Sequence, residues 1–221
     1  MSLDLSAIRR AAETPVLADL STVAAAADDL SAAFVDDPIL SWFMREDAGR
    51  HAARRRFFQV LMRESALADG EIERPATGGG AAVWLPSEKA GAQPLLRELR
   101  ALPMLLNATG MARFSRLAAL RDVMDKHHPT DRPHDYLWFL GVHPDAQGAG
   151  VGSRLLQART QRLDRLGRAA WLETATPRNV PLYQRFGFTT LTEYRPAADG
   201  PLIWGMWRDP QPDHAAGTVR T

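Results

Sequence analysis

The spacing of apolar positions changes several times along this chain, and each change marks an element. Leu20, Val23, Ala27, Leu30 and Phe34 recur at steps of three and four, the signature of one apolar helix face. Thr14 to Asp19 reads as a short strand ahead of that helix, with Asp19 or Ser21 as its cap. Asp36-Asp37-Pro38 closes the helix, because the residue before a proline is pushed out of the helical region. A second helix is predicted over Ala48 to Ala68, with Phe57, Val60, Leu61 and Ala66 inward and Arg54-Arg55-Arg56 outward. Gly70 to Arg74 and Ala81 to Leu85 predict two antiparallel strands joined through Ala76-Thr-Gly-Gly-Gly80. From Ser87 to Pro129 the strand signal lapses. Leu95 to Leu102 and Met111 to Met124 read as helices separated by Asn107-Ala-Thr-Gly110. We expect this helical insertion, at about 87–129, to belong to one domain spanning 1–208, since about 40 residues bury too little surface alone.

The remainder is organised around Leu137 to Ser153. Leu137 to Val142 is a short apolar run rich in aromatic and branched side chains, which suits a strand buried on both faces. A glycine-rich turn follows, with Gly148, Gly150 and Gly152. A helix then runs from Gly150 to about Leu166, with Val151, Leu155, Ala158 and Leu166 on one side. Arg159 and Arg162 fall near that same stripe, so their charges must reach solvent or a carboxylate. Ala169 to Thr174 predicts the next strand, Asn179 to Phe186 a short helix, and Thr189 to Tyr194 with Leu202 to Trp207 a closing hairpin. The tail from 209 to 221 is polar and expected to be flexible.

Composition narrows the function. The formal net charge is +1, and of 27 basic residues only Lys89 and Lys126 are lysines. That balance lacks the excess of positive charge typical of nucleic-acid binding. The chain has no cysteine, which excludes disulfides, thiolate metal sites and a cysteine nucleophile. His127-His128, His134 and His143 lack the helix spacing to a carboxylate that a metal site needs, so no metal is expected. No G-x-S-x-G elbow supports a serine hydrolase. Neither a signal peptide nor about 18 consecutive apolar residues is found, so no membrane span is read and a cytoplasmic protein is expected.

The glycine-rich turn is the strongest chemical signal. Bare amides at the start of a helix converge with the positive end of its dipole, which suits a phosphate-bearing ligand. The dinucleotide fingerprint needs a glycine where Ser153 stands, and the Walker loop needs Lys-Ser or Lys-Thr after the turn. Gln147-x-x-Gly150-x-Gly152, preceded by Leu140-Gly-Val142-His-Pro144, resembles the pyrophosphate signature of the GNAT superfamily of acyl-coenzyme A dependent N-acetyltransferases. Downstream, Trp171-Leu-Glu173-Thr-Ala-Thr-Pro-Arg-Asn179-Val-Pro-Leu-Tyr183-Gln-Arg-Phe186-Gly187-Phe188 resembles that family's next strand, Asn-initiated helix and Tyr-x-x-x-Gly-Phe ending. The resemblance covers roughly Asp135 to Trp207 and is most similar to the puromycin N-acetyltransferase-like branch.

The resemblance implies a mixed α/β (α+β) fold: a mostly antiparallel central sheet of about six or seven strands, flanked by helices and splayed where acetyl-coenzyme A enters. The splayed pair would be the parallel strands at Leu137 and Trp171. It further implies direct acetyl transfer to a primary amine of a small molecule. The coenzyme would meet Leu140, Gly141, Val142, Gln147, Gly148, Ala149, Gly150, Val151, Gly152, Ser153, Asn179 and Tyr183. A backbone N–H near Val142 would stabilise the carbonyl oxygen, and Tyr183 would protonate the departing thiolate.

Many members of the family place a basic glutamate on the main strand, where this chain has Trp138, Phe139 and Leu140. Glu173 is our first candidate for the base, followed by His134 or Asp135. Each site residue has a structural alternative: Glu173 paired with an arginine, Tyr183 as packing, and Asn179 as a helix cap. Asp36-Asp37 either binds a cationic acceptor or ends a helix, and Trp42, Phe43 and Met44 either line a pocket or fill the core. Two other functions stay open, acetylation of a protein or peptide amine and an acyl-coenzyme A sensor without turnover. A homodimer is the assembly to test, as the commonest among soluble oligomers.

Overall fold

The computed structural model describes residues 4–90 and 95–211. Its centre is a seven-stranded sheet in the order β1-β2-β3-β4-β5-β7-β6, from β1 (Val16–Leu17), β2 (Glu71–Arg74), β3 (Gly80–Pro86), β4 (His134–Val142), β5 (Ala169–Thr174), β6 (Thr189–Tyr194) and β7 (Ile203–Arg208). Every neighbouring pair is antiparallel except β4 and β5. Those two run parallel from His134 opposite Ala169 to Leu137 opposite Leu172 and then part. Val83 faces Phe139 and Trp84 faces Leu137, so Trp138 is the extra residue of a bulge in β4 at the point of parting. The expected mixed sheet with one splayed parallel pair is therefore present.

Helices cover both faces. On one side lie α1 (Leu5–Ala11), α8 (Val151–Arg165) and α9 (Val180–Arg185), which bury Ile8, Leu155, Leu156 and Tyr183 against Trp84, Leu137 and Leu172. On the other lie α2 (Val23–Ala33), α3 (Pro38–Phe43), α4 (Arg50–Leu61) and α7 (Leu95–His127), whose core includes Leu30, Phe43, Phe57 and Leu120. A π-helical turn at Met62–Ala66 and α5 (Leu67–Asp69) extend α4, and α6 (Ser87–Ala90) follows β3. Among the described residues no helix is long and apolar enough to cross a membrane.

Several sequence expectations need correction. Pro38 opens a helix as well as following one: Asp37 is the N-cap of α3, its Oδ1 accepting the Leu40 N–H at 2.9 Å, and Pro38 fills the first turn where its missing N–H is harmless. α1 carries no strong apolar period and went unread. The strand expected over Thr14 to Asp19 contracts to Val16–Leu17, and Leu20 is 76% exposed. Asp19 does organise the entry to α2, accepting the N–H groups of Ser21 and Thr22. Arg54, expected outward, is 2% exposed and donates to the Ser31 carbonyl at 2.8 Å, tying α4 to α2. The helices of the 87–129 region meet at Gly110, whose φ of 63° and ψ of 169° break an otherwise continuous α7; Asn107 to Thr109 are helical. Leu166, expected inward, follows the last turn of α8 and is 63% exposed. The polar tail beyond residue 211 lies outside the described residues.

Candidate active site

The loop after β4 leads into the start of α8 through the glycine-rich turn. Gly148 and Gly150 adopt φ of 79° and 76°, a left-handed conformation that favours glycine. Gly150 is the N-cap of α8, and the Arg154 N–H closes on its carbonyl at 3.2 Å. The amides of Gly150, Val151, Gly152 and Ser153 precede that first bond and have no acceptor within the helix. A Cβ on Gly148 would meet nothing within 4 Å, so the loop presents backbone to open space. These features fit a pyrophosphate. The side chain of Gln147 turns back to β4, its Nε2 donating to the Val142 carbonyl at 3.2 Å. Gly141 contributes backbone only, because a Cβ there would lie 2.8 Å from Ala33 and 2.9 Å from Leu30 on α2.

Beyond Leu137 the edge of β4 that would face β5 is free of strand pairing from Trp138 to Val142, so its backbone groups, apart from the Val142 carbonyl held by Gln147, are open to a ligand lying in the gap. A cavity of about 950 Å³ occupies this region. It reaches Asn179 and Tyr183 at one end and Leu117, Leu120 and Met124 of α7 at the other. The structure therefore brings Leu140, Asn179, Tyr183 and Glu173 to one cavity, whereas Gly141, Val142 and the residues from Gln147 to Ser153 do not line it. Asn179 occupies the N-cap position of α9 without a side-chain capping bond, which removes the capping alternative and leaves its amide to the cavity.

Strand alternation puts Glu173 and Tyr183 on opposite faces of the sheet. Leu172 points toward α8 and α9, where Tyr183 is buried, and Glu173, one residue on, points toward α7. Among the described residues Glu173 forms no ion pair with an arginine. Its Oε2 accepts the Tyr136 hydroxyl at 2.9 Å, and its Oε1 accepts the Tyr194 hydroxyl. Burial pushes its pKa up to about 7, against the lowering effect of these two phenols. The Tyr183 hydroxyl is pushed up by burial and by the Asp37 charge, so it stays protonated at neutral pH. Asp37 lines the same cavity as well as capping α3, and burial raises its pKa too. Trp42, Phe43 and Met44 are all buried, with Phe43 also on the cavity wall.

The other two candidate bases are engaged elsewhere. Asp135 accepts from both Arg159 and Arg168 on the α8 side of the sheet. His134 donates its Nδ1–H to the Arg132 carbonyl, since a carbonyl can only accept, and its Nε2 lies 3.1 Å from Nε2 of His128. A neutral His134 must then accept from His128. Sequence reasoning missed Tyr136, Tyr194, His128 and Asp125 around Glu173. The period-two alternation of β4 held the signal for Tyr136 alone.

The sheet thus parts at one parallel pair, with a glycine-rich helix start following β4 and a carboxylate and a phenol on opposite faces of the gap. Residues 107–188 match the model of the acetyltransferase (GNAT) family. The chain is similar to a histone acetyltransferase HPA2-related acetyltransferase of Corynebacterium glutamicum, with a TM-score of 0.68 and 26% identity over 90% of this chain and 96% of that one. The polyamine N-acetyltransferase of Drosophila melanogaster shares the fold, with a TM-score of 0.57 and 14% identity over 88% and 99% of the two chains. A mycothiol acetyltransferase of Propionibacterium freudenreichii is 39% identical over 72 residues, 30% of this chain. This chain matches 23% of the length of that relative.

Proposed function

We propose that this protein transfers an acetyl group from acetyl-coenzyme A directly to a primary amine of a small molecule. The observation that carries the reading is the single cavity that passes through the parting of β4 and β5, with Tyr183 on one face of the sheet and Glu173 on the other. A donor approaching from the α8 side and an acceptor approaching from the α7 side meet there.

Acetyl-coenzyme A supplies the acyl group. The amides from Gln147 to Ser153 hold its pyrophosphate, and the free edge of β4 from Leu140 to Val142 and the Asn179 amide hold the arm that follows. Glu173, unprotonated, removes the proton from the acceptor ammonium and frees the nitrogen lone pair for the carbonyl carbon. As the C–N bond forms and the C–S bond breaks, Tyr183 gives its hydroxyl proton to the departing sulfur. The nitrogen sheds its second proton to restore the Tyr183 hydroxyl, and Glu173 passes its proton to solvent. Backbone N–H groups on the β4 edge near Val142 stabilise charge on the carbonyl oxygen.

The acceptor end favours a small amine with an apolar body. Leu117, Leu120 and Met124 of α7 wall it in, and the carboxyl groups of Asp125 and Glu173 face it. The test is thiol release over a panel of small amines, including puromycin-like aminonucleosides, run beside peptides with free amines. Amine-dependent release with sequential initial-velocity kinetics supports direct transfer to a small molecule. Release on peptides alone overturns the acceptor, ping-pong kinetics with an isolable acetyl-enzyme overturns direct transfer, and acetyl-coenzyme A binding without release on any amine moves the reading to a sensor.

A further inference from the structure

Glu173 sits near the end of β5, and its two hydrogen-bond donors come from strands that are not its sequence neighbours. Tyr136 belongs to β4, where it faces Trp171 across the parallel ladder, two residues before Glu173. Tyr194 belongs to β6, which is separated from β5 by β7. Its hydroxyl reaches Glu173 diagonally across β7, where the residue directly opposite Glu173 is Gly205. A side chain at that position would be within 2.4 Å of the Trp171 ring and 2.7 Å of Thr192, so the row stays clear only with glycine there. One phenol thus binds each carboxylate oxygen, and each oxygen keeps a further lone pair for a proton arriving from the cavity.

We propose that Tyr136 and Tyr194 are positioning residues that clamp the Glu173 carboxylate in one orientation and hold it ionised for proton removal from the acceptor amine. This rests on the reading of Glu173 as the base. The surroundings otherwise oppose an ionised carboxylate. Burial, above all, and the Asp125 charge on α7 raise its pKa, and among the described residues no ion pair involves it. His127 stacks on Tyr194 with ring centroids 4.1 Å apart, and His128 packs edge-on against Tyr136 at 5.1 Å. His128 is held neutral by burial, its pKa lowered to about 4, so it adds no positive charge. The Tyr183 hydroxyl on α9 is neutral as well. The two phenols favour the charged form, with a smaller contribution from the Trp171 side chain, and both phenol pKa values are raised by burial first and then by Glu173.

The test follows the ionisation of Glu173 itself. In protein labelled with ¹³C at the glutamate carboxyl carbon, the resonance lost in Glu173→Gln assigns the group, and its titration is compared among native protein, Tyr136→Phe and Tyr194→Phe. Losing one charge-assisted hydrogen bond should raise the midpoint by about one to two pH units. For any amine of the panel that is acetylated, the acid limb of kcat/KM should move upward by the same interval and activity should recover at higher pH. A lost packing contact would move neither, and thermal melting of the two variants separately reports folding. Unchanged midpoints in both phenylalanine variants would overturn the clamp. Native-rate turnover by Glu173→Gln would instead overturn Glu173 as the base, whatever the midpoints do, so the two failures are distinguishable.

Discussion

Leu137 and Leu172 form the last pair of the parallel β4–β5 ladder, and the residues that follow them, Trp138 and Glu173, stand where the strands part. The bulge at Trp138 shifts the β4 backbone at that point, which opens the gap without breaking the β3 pairing. Because Glu173 is the first β5 residue past the ladder, its carboxylate faces the cavity while its backbone still pairs with Gly205 of β7. We expect Glu173→Gln to lower kcat by about 10²- to 10⁴-fold, the range of a lost general base, with acetyl-coenzyme A affinity little changed. Native kcat/KM should fall as pH drops through about 7, where Glu173 takes up its proton. Steady-state kinetics over pH 5.5 to 9, with calorimetry for the coenzyme, checks both; a flat native profile would remove Glu173 from the reaction.

The pH dependence of stability should show two opposed contributions. Glu173 has a folded pKa of about 7 against 4.5 unfolded, so the folded state holds a proton that the unfolded chain releases between those values. Stability from this group is full below 4.5 and is lost as pH rises to 7, by up to about 3 kcal/mol. His128 works the other way. Its folded pKa of about 4 lies below 6.5, so its contribution is full above 6.5 and is lost as pH falls toward 4. Glu173→Gln should therefore raise Tm at pH 8 and steepen the loss between pH 6.5 and 4.5, whereas His128→Gln should flatten that loss. Melting curves across pH 4 to 8 measure this; parallel curves for all three proteins would contradict the environments described.

The glycine-rich loop allows a controlled test of anion binding. At Gly150 a new Cβ would have to adopt a φ of 76° and would lie 2.7 Å from Arg154 Nη1. Gly150→Val thus adds backbone strain to obstruction, and the fold pays with stability. Gly167, just past α8, has a φ of 60° with nothing within 4 Å of a new Cβ. Gly167→Ala carries left-handed strain of about 1 kcal/mol at a place that touches no proposed ligand. Both variants should lose Tm, but only Gly150→Val should weaken acetyl-coenzyme A binding, by tenfold or more in calorimetric titration. Equal affinities would move the pyrophosphate away from this loop.

What could be read from the sequence follows from how local each signal is. β5 and β6 have the predicted bounds because their branched and aromatic runs are complete within six residues. The glycine-rich turn into α8 was legible for the same reason, since Gln147 to Ser153 is contiguous, and so was the place of Glu173 near the end of β5. α3 was not, because Pro38 reads equally as a stop for one helix and a start for the next. Arg54 was misplaced because only the tertiary approach of α2 supplies the Ser31 carbonyl that satisfies it. The pair of phenols on Glu173 lay furthest out of reach. Tyr194 meets it through a strand order in which β7 lies between β5 and β6, and nothing in the spacing of either residue announces that order.

The last prediction concerns stability away from the site. Arg159, on the apolar stripe of α8, is 5% exposed and brings its charge to carboxylates, donating to Glu73 at 2.9 Å and also to Glu71 and Asp135. Arg162 pairs with Glu71 at 2.7 Å, and Arg168 joins Asp135 to Glu88, 2.8 Å from its Nη2. Burial pushes the Glu73 carboxyl up despite Arg159, so this carboxylate is poorly compensated even in the native network. Taking Arg159 away would leave Glu73 and Asp135 buried with less opposing charge, and breaking a buried pair on one side typically costs about 3–5 kcal/mol. Arg159→Ala should lose stability on that order in urea unfolding at pH 7.5. Adding Glu73→Gln to Arg159→Ala should recover part of the loss, because it removes a charge the single variant strands. Turnover per folded molecule should stay near native at low temperature, since Arg159 lies on the α8 side and touches neither Glu173 nor Tyr183. Additive losses in the double variant would show that packing of the Arg159 stem against Trp84, whose ring lies 5.2 Å from the guanidinium, outweighs the charge network.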